Sequence, residues 1–183
     1  SSLRGSVCSY QGEELGLTEA DIAFEDIQDP YGITFWPQFK GRDGCRTPHP
    51  WQHDQINAGF SQVKPWLPVV AEHHNKSVDL QENSSNSVLN SYRHFNQWRK
   101  KHSALLYGDI SFIETPEPIL AFTRKDSNEK LVVCFNFSNH AQTFSLNHID
   151  GELRIISDHN LVTASQIDEQ ITLPAFGSFY ASF

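Results

Sequence analysis

From residue 109 to residue 183 the chain has no room for a long helix, because short apolar runs alternate there with polar turn clusters. Asp109–Glu114, Pro118–Arg124, Lys130–Phe137, Ala141–Leu146, Leu153–Ser157, Gln170–Leu173 and Gly177–Phe183 each carry β-branched or aromatic residues in partial alternation. Asp126-Ser127-Asn128-Glu129, Ser138-Asn139-His140 and Asp150-Gly151 separate them with side chains that bond their own backbone and so favour turns. The pattern predicts an antiparallel all-β sandwich, or a barrel, of roughly eighty residues. Phe122, Val133, Phe135, Phe137, Phe144 and Phe179 are the expected inward side chains, with core packing preferred over a sugar-binding aromatic platform.

Upstream the pattern changes. Ser6–Tyr10 reads as a short strand bracketed by Gly5 and Gly12, with Val7 and Cys8 small enough for a crowded interior. In the loop Gln11–Leu17, Glu13 and Glu14 are adjacent, and adjacent residues seldom point into one site as an acid–base pair. A structural pair bonding backbone or arginine is therefore preferred to a catalytic one. Thr18 to Trp66 is long, poorly periodic and punctuated by Asp29-Pro30-Tyr31-Gly32, Trp36-Pro37, Asn57-Ala58-Gly59-Phe60 and Lys64-Pro65-Trp66-Leu67-Pro68. Its aromatic residues (Phe24, Tyr31, Phe35, Trp36, Phe39, Trp51, Phe60, Trp66) argue against disorder and for a binding loop pinned by aromatics. Asn83-Ser84-Ser85-Asn86 offers caps for an amphipathic helix over Ser87–Lys101, whose Val88, Leu89, Tyr92, Phe95 and Trp98 share one face. Arg99-Lys100-Lys101-His102 then sits at the negative end of the helix dipole.

Within the long loop, Gly41-Arg42-Asp43-Gly44-Cys45-Arg46-Thr47-Pro48-His49-Pro50-Trp51 is too kinked for helix or strand. Arg42 and Arg46 present planar forks of donors suited to carboxylates or the hydroxyls of a polar ligand, and Trp51 offers a flat apolar face of the kind a sugar ring can lie on. The alternative is a surface loop held by an Arg42–Asp43 contact.

A net charge of −8 argues against nucleic acid or an anionic membrane as partner. The longest apolar runs, such as Leu131–Phe135, are too short to span a bilayer, and no signal-peptide pattern opens the chain. Cys8, Cys45 and Cys134 are far apart without CxxC spacing, and no HExxH occurs. No metal or cofactor is expected, and reduced thiols in the cytoplasm are. The sequence contains no methionine and opens directly into apparent structure, so it reads as a piece of a longer protein.

Taken together, these motifs resemble a known family. Ser2-Leu3-Arg4-Gly5-Ser6-Val7-Cys8-Ser9-Tyr10-Gln11-Gly12-Glu13-Glu14-Leu15-Gly16 resembles the last barrel strand and following loop of glycoside hydrolase family thirteen. The version is that of bacterial α-glucosidases related to oligo-1,6-glucosidase. Phe24–Gly32, Phe35-Trp36-Pro37, Gly41–Pro48, Ala58-Gly59-Phe60 and Lys64-Pro65-Trp66 follow in the family's order, as do the closing helix and the all-β domain. The similarity covers essentially the whole chain.

The resemblance implies a retaining α-glucosidase acting on oligosaccharides or glucosides, with an aspartate nucleophile, a glutamate acid/base and a stabilising aspartate. Family members place all three before the segment matched here, and no Asn-His-Asp triplet occurs in the sequence. The chain would hold the last strand, long loop and last helix of a (β/α) barrel (residues 1–104), followed by an antiparallel β-sandwich (residues 105–183). The implied fold is thus an α+β fragment whose partner is the upstream barrel segment of the same enzyme. Arg46 would reach the innermost glucose, Arg42 and Asp43 would shape its loop, and Glu25 would line the aglycone side. His49 stands where the family commonly has methionine, which implies altered packing or a pH-sensitive contact. The alternative is a non-catalytic module whose sandwich binds carbohydrate or supports assembly.

Overall fold

Strand β3 (Lys130–Asn136) carries Leu131, Val132, Val133 and Cys134 with no polar break, and all four are fully buried. Successive strand residues point to opposite faces, so an unbroken apolar run is stable only where both faces are covered. That is the arrangement in the computed structural model, which describes residues 1–146, 149, 151–156, 165–167 and 170–183. β3 lies at the centre of a five-stranded sheet with β1 (Asp109–Ile113), β2 (Ile119–Lys125), β5 (Arg154–Ile155) and β8 (Ser178–Ser182), in the order β1-β2-β3-β8-β5. Every pairing is antiparallel, as in Phe122 opposite Val133 and Cys134 opposite Phe179. A second sheet, β4-β7-β6, pairs β4 (Gln142–Ser145), β7 (Gln170–Leu173) and β6 (Ser165–Ile167).

One face of the large sheet presents Ile119, Ala121, Val132, Cys134, Phe179 and Ala181 to Phe144, Leu146, Ile171 and Leu173. The opposite face presents Phe122, Leu131, Val133 and Tyr180 to Trp98, Ala104 and Leu105. Those last three belong to α4 (Val88–Arg99) and α5 (Ser103–Tyr107) and close the sandwich from the helical side. The strand expectations hold for β1 to β5, β7 and β8 within a residue or two at each end; Asp150 and Ser157 lie outside the described residues. β6 is the strand that sequence patterning missed, being only three residues long.

Phe137, expected inward, is 64% exposed. The ladder stops at Asn136, which is buried and turns the chain. Its Nδ2 donates to the carbonyls of His140 at 2.7 Å and Pro174 at 2.8 Å, and its Oδ1 accepts from the Ser138 N–H at 2.9 Å. Phe135 is only partly buried, at the margin of the helical-side cluster.

The chain divides into two compact units, residues 8–93 and residues 1–7 with 94–183. The first unit has little regular structure: α1 (Pro30–Phe35), α2 (Ala71–His74), α3 (Val78–Glu82) and several single turns. Ser6–Tyr10, expected as a strand, pairs with no strand among the described residues, and Val7 and Cys8 are exposed. An extended segment without a ladder partner has nothing to satisfy its backbone groups as a strand. The helix expected over Ser87–Lys101 runs from Val88 to Arg99 and tightens at its end, where Lys101 N donates to Trp98 O at 2.8 Å. Its cap is the Ser87 hydroxyl, which accepts from Asn90 N at 3.2 Å, rather than any residue of 83–86. Leu89 and Trp98 are buried as the amphipathic pattern requires, whereas Val88 is half exposed.

Candidate functional site

The arginine loop is built around two buried carboxylates. Asp29 caps α1, accepting from Tyr31 N at 3.0 Å, with Pro30 at the first helical position where a missing N–H costs nothing. Its Oδ2 accepts from Arg42 N at 3.0 Å, Arg42 Nε at 3.3 Å and Arg46 Nη2 at 3.3 Å. Asp43 Oδ2 accepts from the main-chain N–H of Gln28 at 2.6 Å and of Asp29 at 2.8 Å, and its Oδ1 accepts from Arg46 Nη2 at 2.5 Å. The Arg42 guanidinium therefore pairs with Asp29 and not with its neighbour Asp43, which faces inward. Sequence reasoning left Asp29 without a role, though Asp-Pro ahead of a helix is the signal that identifies such a cap.

Two glycines make this arrangement possible. Gly41 has φ +78°, and a Cβ there would stand 2.8 Å from the Asp29 Cβ. Gly44 lies so close to the next segment that a Cβ would sit 2.4 Å from the Ala20 carbonyl oxygen, which belongs to the residue whose N–H bonds Gly44 O at 3.0 Å.

Electrostatics follow from the bonding. Burial raises the pKa of Asp29, but the N–H groups of Arg42 and Tyr31 and the Arg42 guanidinium outweigh it and hold the carboxyl below its ordinary value. At Asp43 burial is likewise outweighed, by the N–H groups of Asp29 and Gln28 and by Arg46.

Arg46, with one edge held by both carboxylates, has its side chain one-third exposed. Its guanidinium lies over the Trp66 ring, 5.7 Å from the centroid. Beside it opens a cavity of about 160 Å³, whose walls include His49, Phe60, Pro65, Trp66 and Leu67. Trp66 is 64% exposed, so a flat apolar face stands beside the fixed donor, and Trp51 is 51% exposed.

His49 follows three residues later. Its Nε2 lies 2.6 Å from Glu14 Oε1, and its ring is 4.5 Å from that of Trp51. Glu14 Oε2 accepts from Gly12 N at 2.9 Å. Burial raises the Glu14 pKa, yet the His49 and main-chain hydrogen bonds prevail and lower it. Glu13 is exposed, so the adjacent pair splits: one member bonds backbone and a histidine rather than an arginine. Behind the loop His73 is fully buried, its Nε2–H donating to Thr18 O at 3.0 Å and its Nδ1 accepting from the Thr47 hydroxyl at 3.3 Å.

The structure thus brings Arg42, Asp43 and Arg46 together. Glu25 is exposed on the turn Phe24–Asp26, and among the described residues no hydrogen bond or ion pair joins it to Arg46. Elsewhere in this unit His53, Asp54 and Asp79 bring ligand-type atoms within 4.8 Å of one another. Asp79 is already engaged: Oδ2 pairs with His53 Nδ1 at 2.7 Å and Oδ1 accepts from the Ser77 hydroxyl at 2.5 Å. Burial raises its pKa, but these bonds prevail and bring it down to about 2. The Asp79 hydrogen bond raises the His53 pKa in turn, so these two side chains already engage one another.

The chain joins an irregular loop carrying a fixed arginine to an antiparallel sandwich. Residues 1–108 match the alpha-amylase catalytic domain and residues 119–179 match the alpha-amylase SusG C-terminal domain. The chain belongs to the alpha-amylase family, as the sequence motifs implied. A probable alpha-glucosidase of Rhizobium meliloti is 47% identical over 180 residues, covering 98% of this chain and 32% of that protein. The oligo-1,6-glucosidase of Parageobacillus thermoglucosidasius is 32% identical over 189 residues, covering 91% of this chain and 34% of that protein. Among solved structures, the alpha-glucosyl transfer enzyme XgtA superposes with a TM-score of 0.94 at 45% identity, over 99% of this chain and 33% of that one. An isomaltulose synthase mutant from Erwinia rhapontici, in complex with sucrose, gives 0.82 at 27% identity, over 99% of this chain and 36% of that one. The chain spans about a third of the length of the relatives it matches. No helix among the described residues is long and apolar enough to cross a membrane.

Proposed function

We propose that the chain is the C-terminal portion of a retaining α-glucosidase that hydrolyses terminal α-linked glucose from oligosaccharides or glucosides. Residues 1–104 complete the catalytic barrel and residues 105–183 form the sandwich. The chain contributes the loop that binds the terminal glucose, while the nucleophile, the acid/base and the stabilising aspartate reside on an upstream barrel segment. The cytoplasm is the proposed location.

The observation that carries this reading is the fixed guanidinium of Arg46. Two carboxylates hold one of its edges, and its exposed part stands beside an open cavity and an indole. A donor fork that cannot swing away suits the hydroxyls at the closed end of a glucose pocket, where a mid-chain residue would not fit. Arg42 and Asp43 act through loop geometry: Arg42 by its bond to Asp29, Asp43 by its bonds to Gln28, Asp29 and Arg46. Glu25 takes the outer, aglycone side, for which its exposure on a separate turn leaves it accessible.

The experiment is kinetic and uses the complete enzyme with a chromogenic α-glucoside. Losing a charged hydrogen bond to substrate costs about 1.5–3 kcal/mol, so Arg46→Ala lowers kcat/KM by roughly 10- to 150-fold. Arg46→Lys fails to restore it, because an ammonium cannot reproduce the fork. An unchanged kcat/KM removes Arg46 from the pocket. Calorimetric binding of maltose by the isolated chain, undiminished by Arg46→Ala, would instead favour a non-catalytic carbohydrate-binding sandwich.

A further inference from the structure

Arg124 on β2 is fully buried, yet no carboxylate pairs with it among the described residues. A buried guanidinium without a counter-ion is costly, so its donors must be spent elsewhere. Nη1 donates to the carbonyl of Ser2 at 2.6 Å and Nη2 to the carbonyl of Gly108 at 3.0 Å. Arg99, near the end of α4, repeats the pattern: Nε donates to Ser1 O at 2.8 Å and Nη2 to Leu105 O at 3.4 Å. Each arginine therefore places one donor on the opening residues of the sequence and another on a carbonyl at the C-terminal end of α5.

That end of a helix carries unsatisfied carbonyls, which favour a cation. The carbonyls thus stand in for the missing carboxylate on both arginines. A third contact closes the arrangement, the Ser2 hydroxyl lying 2.8 Å from the Tyr180 hydroxyl. Ser2 is 4% exposed, an unusual depth for a serine otherwise flanked by exposed residues. Arg4 adds an exposed ion pair to Asp109 at 3.3 Å, which contributes little by comparison. Burial, followed by the charges of Arg99 and Arg4, pushes the Arg124 pKa down, the expected cost of gathering three guanidiniums around one short peptide.

We propose that Arg124 and Arg99 form a main-chain clamp: a docking site on the helical face of the sandwich for a short peptide backbone, occupied here by residues 1–4. The clamp recognises carbonyls rather than side chains, so it fixes the path of the backbone. It explains why residues 1–7 share a structural unit with residues 94–183 although more than eighty residues separate them in sequence. Its role is to order the peptide that leads into the Gly12–Gly16 loop, and it does not depend on the glucosidase reading.

The test is backbone ¹⁵N relaxation on the 183-residue chain, isotope-labelled and held in complex with the unlabelled upstream barrel segment so that it does not self-associate. In the parent protein the Ser2 and Leu3 amides have order parameters near those of rigid backbone, about 0.85. Arg124→Met keeps the volume and removes both donors. It drops the Ser2 and Leu3 values below about 0.6 while leaving β2, β3 and β8 unchanged. Values that stay high in a folded Arg124→Met protein overturn the clamp. Should that variant lose the dispersed amide spectrum of the sheet, Arg99→Met decides: selective loosening of residues 1–4 supports the proposal, and unaltered order there refutes it.

Discussion

At the scale of single residues, the Arg46 loop depends on Asp29 and Asp43, each of which serves two main-chain donors and the Arg46 guanidinium at once. Asp43→Ala leaves the Gln28 and Asp29 N–H groups without that acceptor. It is expected to lower stability by about 2–3 kcal/mol, read from the midpoint of urea unfolding. Gly41→Ala is expected to cost about 1–2 kcal/mol from the left-handed backbone alone. The clash with Asp29 adds to that, so the loss should exceed what Gly→Ala costs at an unstrained position. Asp29, Asp43, Glu14 and Asp79 all have folded pKa values below their ordinary ones. A carboxyl with a depressed folded pKa adds stability above its unfolded value and loses it as pH falls through the folded one. For Asp79 that window runs from 3.8 down to about 2. Asp79→Asn should flatten the slope of stability against pH there, and an unchanged acid slope would show that Asp79 contributes nothing. Arg46, Arg42 and Asp43 were legible in the sequence because arginines and a carboxylate between glycines and prolines can hardly be anything but a shaped loop. That Arg42 turns to Asp29, and Glu14 to His49, was not, since those partners lie 13 and 35 residues away and only tertiary packing selects them.

At the scale of elements, the five-stranded sheet is legible because β3 reads as an unbroken apolar run and its neighbours alternate. Phe122, at the centre of the helical-side cluster and fully buried, is expected to cost about 3–5 kcal/mol when replaced by alanine. Phe137→Ala should cost little, because the ring stands outside the ladder. Equal losses at the two positions would show that the ladder continues past Asn136. The cysteines separate in the same way. Cys134 is buried on the inter-sheet face, and burial pushes its thiol up to about 12, whereas Cys8 and Cys45 are exposed. Two thiols should react promptly with iodoacetamide in the native protein and the third only on unfolding. Ser6–Tyr10 has the composition of a strand but pairs with none among the described residues, because strand formation depends on neighbours that composition cannot report.

At the scale of the whole molecule, Tyr31, Phe35, Phe39, Trp51, Phe60 and Trp66 are all about half exposed or more, far beyond what a solitary soluble surface usually carries. The isolated chain is therefore expected to self-associate at micromolar concentration in analytical ultracentrifugation and to become monodisperse with the upstream barrel segment. A sharp monomeric boundary for the chain alone would contradict this. The sequence could indicate such a surface only as a surplus of aromatics in an irregular segment. Which of them stay uncovered depends on the fold. The most direct test of the central claim is hydrolysis of a chromogenic α-glucoside by this chain mixed with the upstream barrel segment. Activity that appears only on mixing, and falls by roughly 10- to 150-fold with Arg46→Ala, is the predicted result. Full activity of the barrel segment alone, or of the mixture carrying Arg46→Ala, would contradict it.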